Sequence, residues 1–190
     1  MCEIGGKLFF IVGNSGSGKD SLIREVLNNY PKELTQLIVP KRFITRPPSP
    51  DTEDFISITE DEFKEMLNRR EFVFHWRTYQ KFYGVQKDIM ENIEAGHSVL
   101  VNVSRRILEE AKKNYKFLRI IFVYVPFEIT AQRIKERERE DSKELQERLE
   151  RARKNQYLDI ADFTVDNSGD LQAAGKKLLD YIVKEVKSNG

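Results

Sequence analysis

Residues 7–19 read KLFFIVGNSGSGK, and this stretch decides the fold class. Lys7–Val12 is a short apolar run rich in Phe, Ile and Val, which predicts a buried strand. Gly13–Lys19 fits the pattern G-x-x-x-x-G-K, and apolar residues at helical spacing after it predict a helix that ends before Pro31. A glycine-rich loop between a buried strand and a helix is the context in which this pattern binds phosphate groups.

The chemistry of the loop follows from its composition. Glycines allow a positive φ, so that backbone N–H groups can approach phosphate oxygens, and the following helix N-terminus favours negative charge. Lys19 adds a point charge for the β- and γ-phosphates, and we expect it to be catalytic. The residues expected to bind ATP in this segment are Gly13, Asn14, Ser15, Gly16, Ser17, Gly18, Lys19, Asp20 and Ser21.

Asp20 departs from the usual pattern, in which a Ser or Thr follows the lysine and holds Mg²⁺. A carboxylate beside a triphosphate is repelled unless a metal or a hydroxyl-bearing substrate lies between them. Asp20 is therefore either a magnesium ligand, through water, or a residue on the acceptor side. The alternative is a carboxylate that interacts with the N-terminal N–H groups of the helix.

Composition excludes several classes of protein. The 190 residues suit one domain, and Lys+Arg 32 against Asp+Glu 31 leaves a net charge of +1. A general nucleic-acid or membrane-surface binder would show a basic excess, so we expect neither partner. Cys2 is the one cysteine and there are two histidines, which excludes a disulfide within the chain and a Cys- or His-rich metal centre. We expect a cytoplasmic location.

Alternating strands and helices predict an α/β fold, a parallel sheet flanked by helices. The run of short strands from Arg42 to Tyr83 interrupts the alternation, and we interpret it as an inserted acceptor-binding subdomain at about 41–84. The core would take 1–40 and 85–190. Predicted strands are Lys7–Val12, Arg42–Thr45, Phe55–Ile58, Phe72–Trp76, Phe82–Tyr83, Ser98–Val103, Arg119–Val125 and Phe163–Val165. Predicted later helices are Glu60–Asn68 with a capping box from Thr59, Val85–Ala95, Arg105–Asn114, Glu128–Arg139, Lys143–Gln156 and Leu171–Val186.

Arginines recur late in the chain, at Arg133, Arg137 and Arg148 among others. Opposite charges at i,i+4 spacing are typical of a solvated helix held by ion pairs, which is one reading. Planar guanidinium groups also stabilise the charge on γ-phosphate oxygens during phosphoryl transfer, which is the other. Because the phosphate loop is present, we favour the second and expect these three to be catalytic residues of a lid at about 133–151.

Segments spread over nearly the whole chain resemble the guanylate-kinase-like branch of the P-loop kinases. They are GNSGSGKDSL from Gly13, RFITRP from Arg42, FYGV from Phe82, the arginine spacing of the lid, and VDNSGDL from Val165. The resemblance implies a P-loop kinase fold, ATP and Mg²⁺ as cofactors, and an adenine contact from Asn167.

Three positions depart from the guanylate kinase pattern. Ser49 replaces a phosphate-binding arginine, Phe55 replaces a tyrosine, and Phe74 replaces the carboxylate that binds guanine. Phe74 cannot accept hydrogen bonds, and leaving the guanine donors unpaired would cost about 1–3 kcal/mol. GMP is therefore a poor acceptor for this site.

The chain is also similar to the ribose 1,5-bisphosphate phosphokinase family, which forms 5-phosphoribosyl 1-diphosphate (PRPP). That pattern matches at Gly13–Ser21, at Arg42–Pro47, at Glu53, at Trp76 with Tyr83-Gly84-Val85, and at Val101–Arg105. Asp20, unusual for a phosphate loop, is this family's own residue. The resemblance implies phosphoryl transfer from ATP to a sugar phosphate.

Substrate-binding residues follow from the resemblance and from the end of the predicted strand Ser98–Val103, which would face the ligand crevice of an α/β sheet. They are Arg42, Thr45, Arg46, Glu53, Tyr83, Asn102, Ser104 and Arg105. Arg42 could instead be a surface cation, Asn102 and Ser104 could be helix caps, and Trp76 with Phe74 could be pocket walls or core. The second phosphate of the acceptor needs a further cation, for which Arg42, Arg105, Arg77 and Lys81 are candidates.

Two other functions remain open from the sequence. One is a nucleoside monophosphate kinase with an unusual acceptor, and Phe74 argues against it. The other is a non-catalytic interaction module of the guanylate-kinase-like type. Such a module would be expected to have lost its phosphate loop, whereas Lys19 and the loop glycines are present here. The oligomeric state is not predicted.

Overall fold

The computed structural model describes residues 5–48, 54–136 and 142–188. Its first strand, β1 (Leu8–Gly13), is buried along all but its last residue. Helix α1 (Lys19–Asn29) follows the glycine-rich loop and buries Leu22, Ile23 and Val26, as their helical spacing predicts. The chain divides into two units, one of residues 1–9 and 32–118, the other of residues 10–31 and 119–190.

The first unit contains most of the short strands. Its elements are β2 (Leu37–Ile38), β3 (Arg42–Ile44), β4 (Phe55–Ser57), α2 (Glu60–Asn68), β5 (Phe72–Thr78), β6 (Lys81–Gln86), α3 (Asp88–Glu94), β7 (Ser98–Asn102), a 3₁₀ turn (Arg105–Ile107) and α4 (Leu108–Asn114). Four of its strands form a sheet in the order β4-β3-β6-β5. In that sheet β3 is parallel to β4, and β6 is antiparallel to both β3 and β5.

The second unit contains the phosphate loop. It holds α1, β8 (Leu118–Tyr124), α5 (Phe127–Lys135), α6 (Ser142–Lys154), β9 (Phe163–Asp166) and α7 (Leu171–Lys187). The five-stranded sheet has the strand order β2-β7-β1-β8-β9, in which β2 and β7 of the first unit are parallel and β8 and β9 of the second unit are parallel. The fold belongs to the α/β class, as predicted.

Helix α2 begins as the sequence predicts. The Thr59 hydroxyl accepts from the Glu62 backbone N–H, and the Glu62 carboxylate accepts from the Thr59 backbone N–H at 2.7 Å. These hydrogen bonds hold the pKa of Glu62 below its usual value. The capping box is therefore confirmed.

Three predicted helices differ from the structure by three or more residues at one end. The helix predicted over Val85–Ala95 is shorter, α3, because Val85 is buried in β6 opposite Phe74 and cross-strand pairing overrides its helical spacing. The helix predicted from Arg105 starts as a 3₁₀ turn. The helix predicted to end at Arg139, which lies outside the described residues, is α5 and ends at Lys135. Strand β2 was not predicted, since two residues carry no periodicity. The boundaries of the acceptor-binding subdomain stay a prediction.

Candidate active site

The phosphate loop has the backbone that its glycines predict. Gly16 and Gly18 have φ of 79° and 80°, in the left-handed region that glycine enters at no steric cost. The Ser17 backbone N–H donates to the Asn14 carbonyl at 3.1 Å, which closes the loop into a tight turn. Gly18 then precedes α1 as its N-cap residue. These features place a run of backbone N–H groups at a helix N-terminus, the arrangement that binds phosphates.

Lys19 lies over this loop. Its Nζ donates to the carbonyl oxygens of Gly13 at 3.0 Å and Asn14 at 2.9 Å, and to the Ser17 hydroxyl at 3.4 Å. Three oxygens of the loop therefore fix the ammonium group beside the N–H groups that would face a phosphate. The position fits the role predicted for Lys19 as the charge on the β- and γ-phosphates.

Asn167 supports the loop from the end of β9. Its side chain is 4% exposed, and its Nδ2 donates to the Ser17 carbonyl at 2.8 Å. A Cβ atom on Gly18 would lie 2.5 Å from the same Nδ2, so a side chain there would displace the amide, and the positive φ of Gly18 also favours glycine. The Asn167 backbone carbonyl accepts from Arg133 Nη1 at 3.3 Å. The adenine contact expected of Asn167 stays a prediction.

Asn14 links the loop to helix α6 by hydrogen bonds, a contact that the sequence did not predict. Its Nδ2 lies 3.2 Å from the Ala152 carbonyl oxygen and 3.1 Å from that of Asn155, at the end of α6. The last carbonyls of a helix have no partner within it, so an outside donor stabilises them. Asn14 and Ala152 are 138 residues apart, which no local pattern reveals.

Two of the three predicted lid arginines lie at this loop. Arg148 on α6 donates from Nη1 to the Ser15 hydroxyl at 3.4 Å. Arg133 reaches the loop through Asn167, as described above. Arg137 lies outside the described residues. The two arginines thus add positive charge beside the phosphate loop, whereas the solvated-helix reading requires no such contacts.

Asp20 occupies the first turn of α1, and Ser21 follows it. A carboxylate there interacts favourably with the helix dipole, so the structural alternative for Asp20 stands beside the magnesium role. Within the described residues no three Asp, Glu, His or Cys side chains are grouped as a metal cluster. A single carboxylate is a donor that Mg²⁺ accepts, and the magnesium role of Asp20 stays a prediction.

Arg42 in the first unit is buried at 7% exposure. Its Nη1 donates to the Asn102 carbonyl at 2.9 Å, at the carboxyl end of β7. The reading of Arg42 as a surface cation is therefore wrong, because the side chain is enclosed and joins β3 to β7. Arg42 and Asn102, both predicted to bind substrate, are brought together.

Arg46 and Thr45 follow β3. The Arg46 guanidinium lies over the Phe55 ring at 4.5 Å from its centroid, a cation–π arrangement. The Thr45 hydroxyl accepts from the Phe82 backbone N–H at 2.9 Å, and so extends the pairing of β3 with β6. Thr45 therefore has a structural role at this point of the sheet, while its substrate role stays a prediction.

Ser104 and Arg105 follow β7. The Ser104 hydroxyl accepts from the Arg106 backbone N–H at 3.4 Å, so the helix-capping alternative holds for Ser104. Burial lowers the pKa of Arg105, whose guanidinium has lost part of its water. A partly desolvated cation attracts an anion more strongly than a solvated one. Glu53 and Ser49 lie outside the described residues.

Aromatic side chains line the neighbouring strands. Tyr83 on β6 pairs with Trp76 on β5, and their rings are parallel within 4° with centroids 5.4 Å apart. Phe74 is 6% exposed and meets the Tyr115 ring edge-on at 5.3 Å. Both Trp76 and Phe74 are buried, as a pocket wall or core residue would be.

Comparison with known proteins places this site in a family. The guanylate kinase family model matches residues 5–185. The chain belongs to the guanylate kinase family.

Several proteins similar to this chain carry the same name. Proteins named ribose 1,5-bisphosphate phosphokinase PhnN are similar in Thiobacillus denitrificans (34% identity over 93% of both chains) and Desulfomicrobium baculatum (35% over 96% of this chain and 97% of the relative). The resemblance to that group of the guanylate-kinase-like proteins is therefore confirmed.

A solved structure shows the same fold. The guanylate kinase from Anaplasma phagocytophilum covers 97% of this chain and 88% of its own, with a TM-score of 0.69 and 16% identity. At that identity the likeness concerns the fold alone. In the described part of the chain, no helix is long and apolar enough to cross a bilayer. The cytoplasmic location stays a prediction.

Proposed function

We propose that this member of the guanylate kinase family transfers the γ-phosphoryl group of ATP to ribose 1,5-bisphosphate, forming ADP and PRPP. Support comes from two relatives named ribose 1,5-bisphosphate phosphokinase, whose similarity covers more than nine tenths of this chain. It also comes from the phosphate loop, in which Lys19 and the positive-φ glycines are in place. The substrate is a small sugar phosphate.

The donor residues all belong to the second unit. Loop N–H groups and Lys19 bind the β- and γ-phosphates, and Arg133 with Arg148 neutralises charge that develops on the γ-oxygens. Magnesium, when bound with ATP, supplies charge neutralisation between the β- and γ-phosphates. Asp20 lies one residue beyond Lys19 and would hold the ion through water.

The nucleophile needs no general base. A phosphate monoester has a second pKa of about 6, so an oxygen of the 1-phosphate is already anionic at neutral pH. That oxygen bonds to the γ-phosphorus as the bond to the β–γ bridging oxygen breaks, and ADP leaves with the electron pair. The protein supplies position and positive charge, and Arg46 and Arg42 are the acceptor-side cations proposed for this.

Phe74 is the observation that carries the choice of acceptor. At the position where the guanylate kinase pattern has a guanine-binding carboxylate, the side chain is an apolar ring packed on Tyr115. The edge of guanine presents N–H donors, and an apolar wall leaves them unpaired. A bisphosphorylated ribose has no base and avoids that cost.

One assay tests the proposal. ADP release is measured with ribose 1,5-bisphosphate, GMP, AMP and UMP offered in turn with ATP and Mg²⁺, and PRPP is detected separately by coupling to a phosphoribosyltransferase. We expect PRPP with the bisphosphate, and kcat/KM at least ~1,000-fold above that for GMP, which corresponds to about 4 kcal/mol. Comparable efficiencies, or a preference for GMP, would return the protein to the nucleoside monophosphate kinases.

A further inference from the structure

Strand register gives the small sheet of the first unit two distinct faces. Side chains paired directly across neighbouring strands project to the same face, and alternate residues share it. The pairs Ile44–Tyr83, Trp76–Tyr83 and Thr78–Lys81 therefore place one set of side chains together. We call this side of the sheet the acceptor face; it includes Arg42, Ile44, Phe74, Trp76, Thr78, Lys81, Tyr83 and Val85.

The opposite face is closed by helix α2. Phe63 and Met66 of α2 pack on Phe72, with Phe43 and Phe82 beside them. Arg77 pairs with Phe82 and lies over its ring at 5.2 Å, so it belongs to that opposite face. Among the candidate cations for the second phosphate, Arg77 is therefore on the wrong side of the sheet, whereas Lys81 is on the acceptor face.

Thr78 has a hydroxyl that the described residues leave unsatisfied. Its Oγ1 is buried and makes no hydrogen bond to any residue that the structure describes. A buried polar group without a partner costs folding free energy, and such groups in native proteins call for an explanation. A ligand oxygen that accepts from Thr78 would remove the cost.

The turn that joins Thr78 to Lys81 is strained. Tyr79 and Gln80 have φ of 49° and 60°, in the left-handed region. A two-residue hairpin of this kind normally carries Asn and Gly there, because other side chains are disfavoured at positive φ. Backbone strain of this sort persists where surrounding structure enforces it, often at ligand sites. Here it fixes the Thr78 and Lys81 side chains opposite each other.

A hydroxyl donor and an ammonium group on one face form a site for an anion. Thr78 and Lys81 lie two residues closer to the turn than Trp76 and Tyr83, a distance of about 6.8 Å along the strands. That separation is of the order of a pentose ring with a phosphate at each end. The acceptor under the proposed function carries two phosphates, and the one that does not react needs its own site.

We propose that Thr78 and Lys81 bind the second phosphate of the acceptor, with the Thr78 hydroxyl donating to one of its oxygens. The inference rests on the proposed function, and it makes Thr78 and Lys81 specificity-determining residues. Tyr83 and Arg46 then serve the phosphate that reacts. The site takes a sugar phosphorylated at both ends in preference to one phosphorylated at C1 alone.

Thr78→Val tests this most directly, because it removes the hydroxyl and keeps the shape. We expect kcat/KM for ribose 1,5-bisphosphate to fall about 10- to 100-fold, the effect of losing a hydrogen bond to a charged group. The KM for ATP should not change, and Tm should equal or exceed that of the wild type. Thr78→Ser should restore most of the acceptor efficiency, and Thr164→Val, the same change at an exposed residue of β9, should have no effect.

Ribose 1-phosphate as a competitive inhibitor separates the two phosphates. It lacks the second phosphate, so its Ki should be the same in wild type, Thr78→Val and Lys81→Met. Trp76 is the one tryptophan of the chain, and its fluorescence gives acceptor affinity without turnover. Lys81→Met should weaken the affinity for the bisphosphate measured in this way, even if Thr78→Val does not fold.

The outcomes are distinct. If the wild type makes no PRPP, the proposed function is wrong. If the wild type makes PRPP but both variants keep its acceptor kinetics, the phosphate site at Thr78 and Lys81 is wrong. Equal losses for the bisphosphate and for ribose 1-phosphate would also overturn it, since they would show a general structural effect. A lower Tm for Thr78→Val would show that the hydroxyl has a partner within the protein.

Discussion

Asn167→Ala probes how the phosphate loop is held. The amide Nδ2 of Asn167 donates to the Ser17 carbonyl at 2.8 Å, and both residues are buried, at 4% and 1% exposure. Alanine removes the donor and leaves the Ser17 carbonyl without it. The cost of such a loss is about 1–3 kcal/mol. The bond from Arg133 survives, because it ends on the Asn167 backbone carbonyl.

We expect kcat/KM for ATP to fall about 5- to 150-fold, which is that free energy expressed as a rate ratio. The acceptor KM should change little, since the loop belongs to the donor side. Asn167→Asp should be worse than alanine, because a carboxylate oxygen would face the Ser17 carbonyl oxygen. Initial rates against ATP concentration, and the shift of Tm on adding ATP, measure both effects.

Ser168→Ala is the matched control. Ser168 is adjacent in sequence, but both its side chain and its backbone N–H, the latter at 2.9 Å, bond to Asp166. The Ser168→Ala substitution should leave kcat/KM for ATP unchanged. Wild-type kcat/KM for ATP in both Asn167 variants would refute the view that this amide holds the loop.

Other substitutions test the remaining parts of the site. Lys19→Ala should lower kcat/KM at least ~100-fold with an unchanged circular dichroism spectrum, because Lys19 contacts charge that shifts in the transition state. Arg148→Ala should lower kcat more than it raises the acceptor KM, and an unchanged kcat would favour the solvated-helix reading. Phe74→Glu should lower Tm and give no ADP release with GMP as the acceptor. Burial raises the pKa of Tyr181 from 10.0 to about 12. The neutral phenol therefore contributes stability below pH 10, and this contribution is lost as the pH rises through 12. Tyr181→Phe should make the free energy of unfolding depend less on pH in this alkaline range.

Local patterns in the sequence predicted the parts of the fold that local interactions decide. The phosphate loop depends on glycines and a lysine within seven residues, and the α2 capping box on Thr59 and Glu62 three residues apart. The prediction that Val85 begins a helix was wrong, because Val85 pairs with Phe74 on another strand and helical spacing contains no information about that contact. Strand register, once known, assigns Lys81 and Arg77 to opposite faces, although both are cations of one hairpin.

Contacts across long stretches of chain account for the site residues that the sequence did not reveal. Asn14 bonds to Ala152 and Asn155, and Asn167 bonds to Ser17 across 150 residues. Each asparagine could be predicted to touch nucleotide from its motif, but its partner in the protein could not. The burial of Arg42 is of the same kind, since it depends on the Asn102 carbonyl 60 residues away.

Phe55 and Phe74 show how the acceptor preference is built into the packing. Phe55 replaces a tyrosine of the guanylate kinase pattern and keeps the ring on which Arg46 lies, so the cation is still held while one hydroxyl donor is lost. Phe74 replaces a carboxylate and is packed edge-on against Tyr115. The wall that would have to hydrogen-bond the polar edge of a base is therefore apolar. A carboxylate restored at Phe74 would be buried at 6% exposure, where its ionised form is costly, and Ser49 would still replace the phosphate-binding arginine of the pattern. Acceptor choice therefore rests on several positions that agree with one another, and returning one of them to the guanylate kinase residue cannot return the specificity.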